Sequence, residues 1–281
     1  MVIMNRLPNQ DRVRVVAALV EGNSIRSTVR MTGVAKNTIV KLLVELGAAC
    51  YAFHDQHVRG LKCKRVQCDE IWSFVGAKMK NTSEEKMAQG WGDVWTWTAL
   101  CADSKLIVSY LVGQRGPRWA SAFMENVASR IDSRIQITTD GHKTYADAVD
   151  GAFGMDVDYA MLIKLYGSDS FDTKYSPGEC IDTQMAILQG NSDPKHVSTS
   201  YVERQNLTMR MSIRWFTRLS NGFSKKLQNH EASVALYFMY YNFCRIHRTT
   251  RVTPAMEAGL TDHAWSIAEM VGLLEEDGHG R

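Results

Sequence analysis

Between Val66 and Lys164 the chain switches repeatedly between runs that suit strands and runs that suit helices, and this alternation narrows the fold most. Val66 to Val75, Val94 to Cys101 and Leu106 to Val112 are rich in Val, Thr, Ile and aromatic residues, the composition of pleated, half-buried strands. Pro117 to Ile131 predicts a helix, with proline in the first turn where no N–H is needed. Ile135 to Thr139 reads as a short buried strand, Lys143 to Val149 as a short helix and Val157 to Lys164 as one more strand. Three strands, a helix, a strand, a helix and a strand predict a mixed α/β fold, a mixed sheet with helices packed on it. Residues 167–200 are Ser-, Asp- and Gly-containing and poorly periodic, so they are expected to form an inserted, partly irregular lobe.

The first fifty residues predict an all-α unit. Asn9 to Glu21 places Val13, Val16, Ala17 and Val20 on one helical face, and Gly22 ends it. Asn23 or Ser24 can cap a second helix running to about Met31. After the turn Thr32-Gly33-Val34, a third helix starts at Ala35 with Ile39, Leu42, Leu43 and Leu46 inward. Two helices joined by a Gly-containing turn make a helix-turn-helix, whose second helix presents its start to the DNA major groove. Here that start is Lys36, Asn37 and Thr38, followed by Lys41. Asn reads adenine edges, and Lys reaches guanine or phosphate. An ordinary three-helix subdomain with a polar wet side accounts for the same pattern. Residues 51–64, polar and His-containing, read as a linker.

Charge is partitioned along the chain. Residues 1–65 hold 11 Lys and Arg against 4 Asp and Glu, residues 66–200 hold 12 against 18, and residues 201–254 hold 9 against 2. Two basic blocks around an acidic middle suit a polyanion gripped at two places beside a carboxylate-lined centre. No apolar run reaches the ~18 residues of a membrane span, and the N-terminus lacks the regions of a signal peptide. The six scattered cysteines read as reduced thiols. A cytoplasmic chain is expected. His54, His57, Cys63 and Cys68 do not follow the usual paired zinc spacings, and no P-loop, dinucleotide fingerprint or Ser-His-Asp motif is present.

Three carboxylates stand out. Asp69 lies inside a strand-like run, where burying an acid is costly unless it is paired or metal-bound. Asp140 ends a short strand before Gly141, at the strand carboxyl end where α/β sheets often carry sites. Glu203 opens a helix, Tyr201 to Thr217, whose residues Glu203, Asn206, Arg210, Arg214 and Thr217 form one polar stripe. Three acids brought together repel unless cations sit between them, and oxygen donors suit Mg²⁺ or Mn²⁺. Two such ions about 4 Å apart activate an attacking hydroxyl and stabilise a leaving oxygen in phosphoryl transfer. Glu70 is the rival to Asp69, but strict alternation puts only one of them on a given face.

The residues around these acids carry a resemblance. Cys68-Asp69-Glu70-Ile71-Trp72-Ser73-Phe74, Thr139-Asp140-Gly141-His142-Lys143-Thr144-Tyr145 and Tyr201-Val202-Glu203-Arg204-Gln205-Asn206 resemble the three acidic motifs of bacterial insertion-sequence transposases of the Asp-Asp-Glu class. The nearest likeness is to the insertion-sequence-one family, broadly taken. Tyr241 to Arg248 and Thr253 to Met256 are similar to the tail of such enzymes. The N-terminal zinc-binding cysteine motif of some members is missing here, and the long Asp140-to-Glu203 interval implies an insertion before the catalytic helix.

The resemblance implies an RNase H-like catalytic fold and a two-step reaction. Water hydrolyses a phosphodiester at the element end, and the freed 3′-hydroxyl then attacks target DNA. It implies Asp69, Asp140 and Glu203 as catalytic, metal-holding residues for two Mg²⁺ or Mn²⁺ ions, and double-stranded DNA as partner. His142, Lys143, Arg204, Asn206, Arg210 and Arg214 are expected to contact DNA beside Lys36, Asn37, Thr38 and Lys41. A homodimer or larger assembly follows from the need to hold two element ends, and a nucleoid-associated place in a bacterial cytoplasm from the substrate. The expected organisation is a helix-turn-helix domain over 1–50, a linker over 51–64, a catalytic domain over 65–226 with its insertion at about 167–200, and C-terminal helices over 227–281. A helix-turn-helix regulator without catalysis, or an RNase H-like nuclease that cuts without joining, are the competing readings.

Overall fold

The strand-rich middle of the chain forms a six-stranded sheet in the computed structural model, which describes residues 7–166, 180–217 and 222–276. The strands are β1 (Arg65–Val75), β2 (Gly92–Cys101), β3 (Ile107–Gly113), β4 (Ile135–Asp140), β5 (Val157–Tyr166) and β6 (Cys180–Gln189), in the order β3-β2-β1-β4-β5-β6. The link from β2 to β3, residues 102–106, is too short for a crossover, so that pair is antiparallel. Ala102, just past β2, donates its N–H to the carbonyl of Arg65 at the start of β1, so β2 also runs against β1. β4 is parallel to β1 and to β5, and β6 returns antiparallel to β5. The result is a mixed sheet flanked by helices, consistent with the RNase H-like arrangement that the motif resemblance implies.

The chain divides into two compact units. One comprises Gly60–Glu70 and Trp97–Arg204. Its helices α5 (Pro117–Ala128) and α6 (Thr144–Phe153) pack on each other, and α5 also packs on β3. Trp97 is fully buried, 5.8 Å from the Phe123 ring and 5.4 Å edge-to-face from Tyr145. Each such side chain contributes roughly 1.5–3 kcal/mol on burial. Residues 180–189, read from sequence as irregular, form β6. Its side chains are almost all exposed, so it carries no burial pattern and is held by its ladder to β5. The rest of the expected insertion, residues 167–179, lies outside the described residues.

The other unit comprises Met1–Arg59, Ile71–Thr96 and Gln205–Arg281. It opens with α1 (Asn9–Val20), α2 (Ile25–Thr32) and α3 (Lys36–His57), followed further along by α4 (Glu84–Ala88). Ser24 caps α2 by accepting the Ser27 N–H at 3.0 Å, and Gly33 ends it at φ 74°, a left-handed turn that favours glycine. α3 does not stop near residue 50. It runs on to His57, so the first half of the segment read as a linker is helical, with Phe53 stacked on His57 and packed against Phe243 and Trp265.

Further along, α7 (Ser200–Ser212) contributes residues to both units, and α8 (Leu227–Met239) packs along α3. A Cβ at Gly47 would meet Ala232 at 2.6 Å, so the α3–α8 approach depends on glycine there. α8 passes into a π turn, Tyr240–Cys244, and ends in the extended Arg245. α9 (Pro254–Glu257) and α10 (Ile267–Glu276) complete the unit, α10 packing on α1 and α3. Among the described residues no helix is long and apolar enough to cross a membrane.

Candidate active site

The acids of the first two motifs converge because of strand register. Cys68 on β1 is paired with Thr139 on β4, so one step further Asp69 and Asp140 stand on neighbouring parallel strands, the latter at the strand's carboxyl end. Asp69 accepts the Glu70 backbone N–H at 2.8 Å, and Asp140 accepts that of His142 at 3.1 Å, which fixes both carboxylates. Glu70 joins them. Carboxylate oxygens of Asp69, Glu70 and Asp140 all lie within 4.8 Å of one another, the one such group of three acids, histidines or cysteines among the described residues.

Glu70 is the most perturbed member of this group. The Glu70 side chain is only 1% exposed, and Arg115, from the loop between β3 and α5, donates to it through Nε at 3.2 Å. Burial first, then the charge of Asp140, still pushes the Glu70 carboxyl up to about 8 against the pull of Arg115. His142 Nδ1 lies 3.8 Å from Glu70, but burial and Arg115 hold this imidazole below its ordinary value, so it adds no charge at neutral pH. The Tyr145 hydroxyl, fully buried at the start of α6, has no hydrogen-bond partner, and its ionisation is opposed by burial and then by Glu70.

Glu203 stands outside the three-acid group. It sits in the first turn of α7, where the helix dipole favours an acid. Buried Gln67, two residues before Asp69 on β1, accepts the N–H groups of Tyr201 and Val202 at 2.8 and 3.2 Å, anchoring the start of α7 on the strand. The Glu203 carboxylate accepts from the Thr199 hydroxyl and pairs with Lys164 of β5. Burial opposes the Lys164 charge, but Glu203 and, more weakly, Tyr166 and Asp69 outweigh it and raise the ammonium's pKa. Lys164 thus feels both Glu203 and Asp69.

Three hard carboxylate donors in one group fit a divalent ion such as Mg²⁺ or Mn²⁺. Adjacent octahedral ligands at about 2.1 Å stand about 3 Å apart, so oxygens lying within 4.8 Å of one another must draw in by up to about 2 Å to share one ion. The unpaired Tyr145 hydroxyl points the same way.

Among the other expected contacts, Lys36, Asn37, Thr38 and Lys41 are all exposed at the start of α3, with Ile39, Leu42 and Leu43 buried behind them. Lys41 pairs with Glu45 at 3.7 Å. His142 is half-buried, and Lys143 and Arg204 are exposed. Asn206 is buried and Arg210 half-buried on α7. The single polar stripe to Thr217 does not form: α7 ends at Ser212, Ile213 is extended, and Arg214 lies in a separate 3₁₀ turn. Sequence reasoning passed over Arg115, Lys164, Gln67 and Tyr145. Lys164 carried a signal, as the lone charge late in an apolar strand.

No family model and no curated protein matches this chain. Among solved structures it is similar to the piggyBac transposase synaptic complex with hairpin DNA, determined by cryo-EM, at 9% identity and a TM-score of 0.38, over 96% of this chain and 71% of that chain. At that TM-score the likeness decides nothing about chemistry, which rests on the residues themselves.

Proposed function

We propose that this chain is a metal-dependent DNA transposase of a bacterial insertion sequence, cutting at the element ends and joining the freed 3′-hydroxyl to target DNA. The observation that carries the reading is the juxtaposition of Asp69 and Asp140 on adjacent parallel strands with Glu70, beside a Glu203 anchored through α7 to β1. Asp69 and Asp140 would hold Mg²⁺ or Mn²⁺, with Glu203 as the third acid, and bound ions supply the Lewis acidity that phosphodiester cleavage and transfer require. For Glu203 to serve a second ion, Lys164 must give up its pair and turn to a DNA phosphate. Exposed Lys143 and Arg204 lie within the same unit as the acids and are suited to phosphate contact.

Residues 1–50 would read the element end through Lys36, Asn37, Thr38 and Lys41, with Arg210 and Arg214 adding phosphate contacts and Asn206 positioning its neighbours. Residues 65–226 would carry the catalysis and 227–281 support it. The working form is a homodimer or larger assembly on double-stranded DNA in the bacterial cytoplasm. The test uses labelled DNA bearing the native element ends, incubated in Mg²⁺ with the wild type and with Asp69→Ala, Asp140→Ala and Glu203→Ala. Nicking and joining by the wild type, lost in each variant while DNA binding persists, is the expected result. Binding without cleavage in Mg²⁺ or Mn²⁺ would replace the transposase by a regulator, and cutting without joined product would replace it by a nuclease.

A further inference from the structure

We propose that Glu70 is a ligand of the divalent ion held by Asp69 and Asp140, with the Tyr145 hydroxyl donating into the same carboxylate group. This rests on the metal-binding part of the proposed function and adds two residues to it.

Geometry is the first support. Asp69, Glu70 and Asp140 each bring an oxygen within 4.8 Å of the other two, and Glu203 is not in that set. Three protein oxygens on one face of an ion leave positions for water and a phosphate, the open coordination that Mg²⁺ and Mn²⁺ favour in phosphoryl-transfer sites. Charge is the second. Arg115 faces the group on Glu70, and Lys164, paired with Glu203, feels Asp69. Arg115 is 37% exposed, so its hold on Glu70 is screened by solvent, and a divalent ion competes well for that carboxylate.

Tyr145 is the independent observation. Its hydroxyl is completely buried with no partner, though Glu70, Asp69 and Asp140 all lie near enough to oppose its ionisation. An orphaned buried donor costs about 1–3 kcal/mol. It becomes satisfied when a carboxylate of the group draws in toward it around an ion or when an ion brings water. The bland account makes Glu70 only the anchor of Arg115, and leaves the Tyr145 hydroxyl unexplained.

Calorimetric titration of the full chain with Mn²⁺, without DNA, separates the two accounts. Glu70→Gln and Asp140→Asn are each expected to weaken Mn²⁺ binding by at least about tenfold, and Tyr145→Phe by a few-fold. Arg115→Gln removes the competitor for Glu70, so it should tighten Mn²⁺ in the wild-type background and lose that effect in the Glu70→Gln background. Wild-type affinity in Glu70→Gln, or equal tightening by Arg115→Gln in both backgrounds, overturns the proposal. If Glu70→Gln fails to fold, Arg115→Gln and Tyr145→Phe decide it, and an unchanged affinity in both overturns it. Glu70-dependent Mn²⁺ binding without DNA cleavage would sink the transposase reading alone, whereas cleavage with Glu70-independent Mn²⁺ binding would sink this inference alone.

Discussion

Gly47→Ala should destabilise the protein although it replaces glycine with the best helix former, and the reason lies across the helix interface. The added methyl would sit 2.6 Å from the Cα, Cβ and carbonyl oxygen of Ala232 on α8. Two of those atoms are backbone, so no side-chain rotation relieves the clash. Restoring van der Waals separation pushes α3 and α8 apart by about 1 Å, and a gap of that size forfeits a quarter to a half of each dispersion contact along the seam. Leu43, Leu46 and Cys50 on α3 and Ala235, Leu236 and Met239 on α8 are all buried in this unit. Overpacking of this kind costs about 1–3 kcal/mol, against a helix-propensity gain of about 1 kcal/mol. The net loss, up to about 2 kcal/mol, should lower the thermal midpoint by up to roughly 8 °C. Gly272→Ala is the matched control, because in α10 a Cβ meets nothing within 4 Å. It should gain about 0.5–1 kcal/mol. Melting followed by circular dichroism reads both, and a Gly47→Ala variant as stable as Gly272→Ala would refute the packing argument.

Three further outcomes follow from particular residues. Ser24→Ala removes the cap that receives the Ser27 N–H, and should cost about 1 kcal/mol in denaturant unfolding; an unchanged midpoint would show that the cap is idle. Glu70 titrates at about 8 when folded against an ordinary 4.5, so in ion-free buffer its contribution to stability is complete below about pH 4.5 and is lost as pH rises toward 8. Comparing wild type with Glu70→Gln across pH 5 to 8 should show the loss in the former only, with Mg²⁺ restoring the wild type at pH 8; parallel profiles would contradict it. Lys36→Ala should weaken DNA binding and reduce the slope of log affinity against log salt by about 1, and an unaltered slope would remove Lys36 from the phosphate contacts.

What the sequence disclosed and what it hid divide along local and non-local lines. β1 to β5 and α5 were legible because their apolar runs serve burial within the element itself. β6 was not, since its residues face solvent and only the ladder to β5 makes them a strand. The end of α3 was hidden because Phe53, on which His57 stacks, is secured by Phe243 and Trp265, about two hundred residues away. At the site, Asp69 and Asp140 could be read from strand position. Glu70 was set aside by the alternation rule, which governs the direction of Cβ but not where a longer side chain delivers its carboxylate. Arg115, Lys164 and Gln67 matter only through partners distant in sequence.

The central claim is that ions held by these carboxylates act on the scissile phosphodiester of DNA. It is tested most directly by replacing the 3′-bridging oxygen of that phosphodiester with sulfur in a DNA substrate bearing the element end. Mg²⁺ binds sulfur poorly and Mn²⁺ tolerates it better. The account predicts that cleavage of the sulfur-containing strand by the wild-type protein falls steeply in Mg²⁺ and is recovered in Mn²⁺, while the all-oxygen strand is cut in both. Cleavage of the two strands at equal rates in Mg²⁺, or cleavage that persists without any divalent ion, would contradict it.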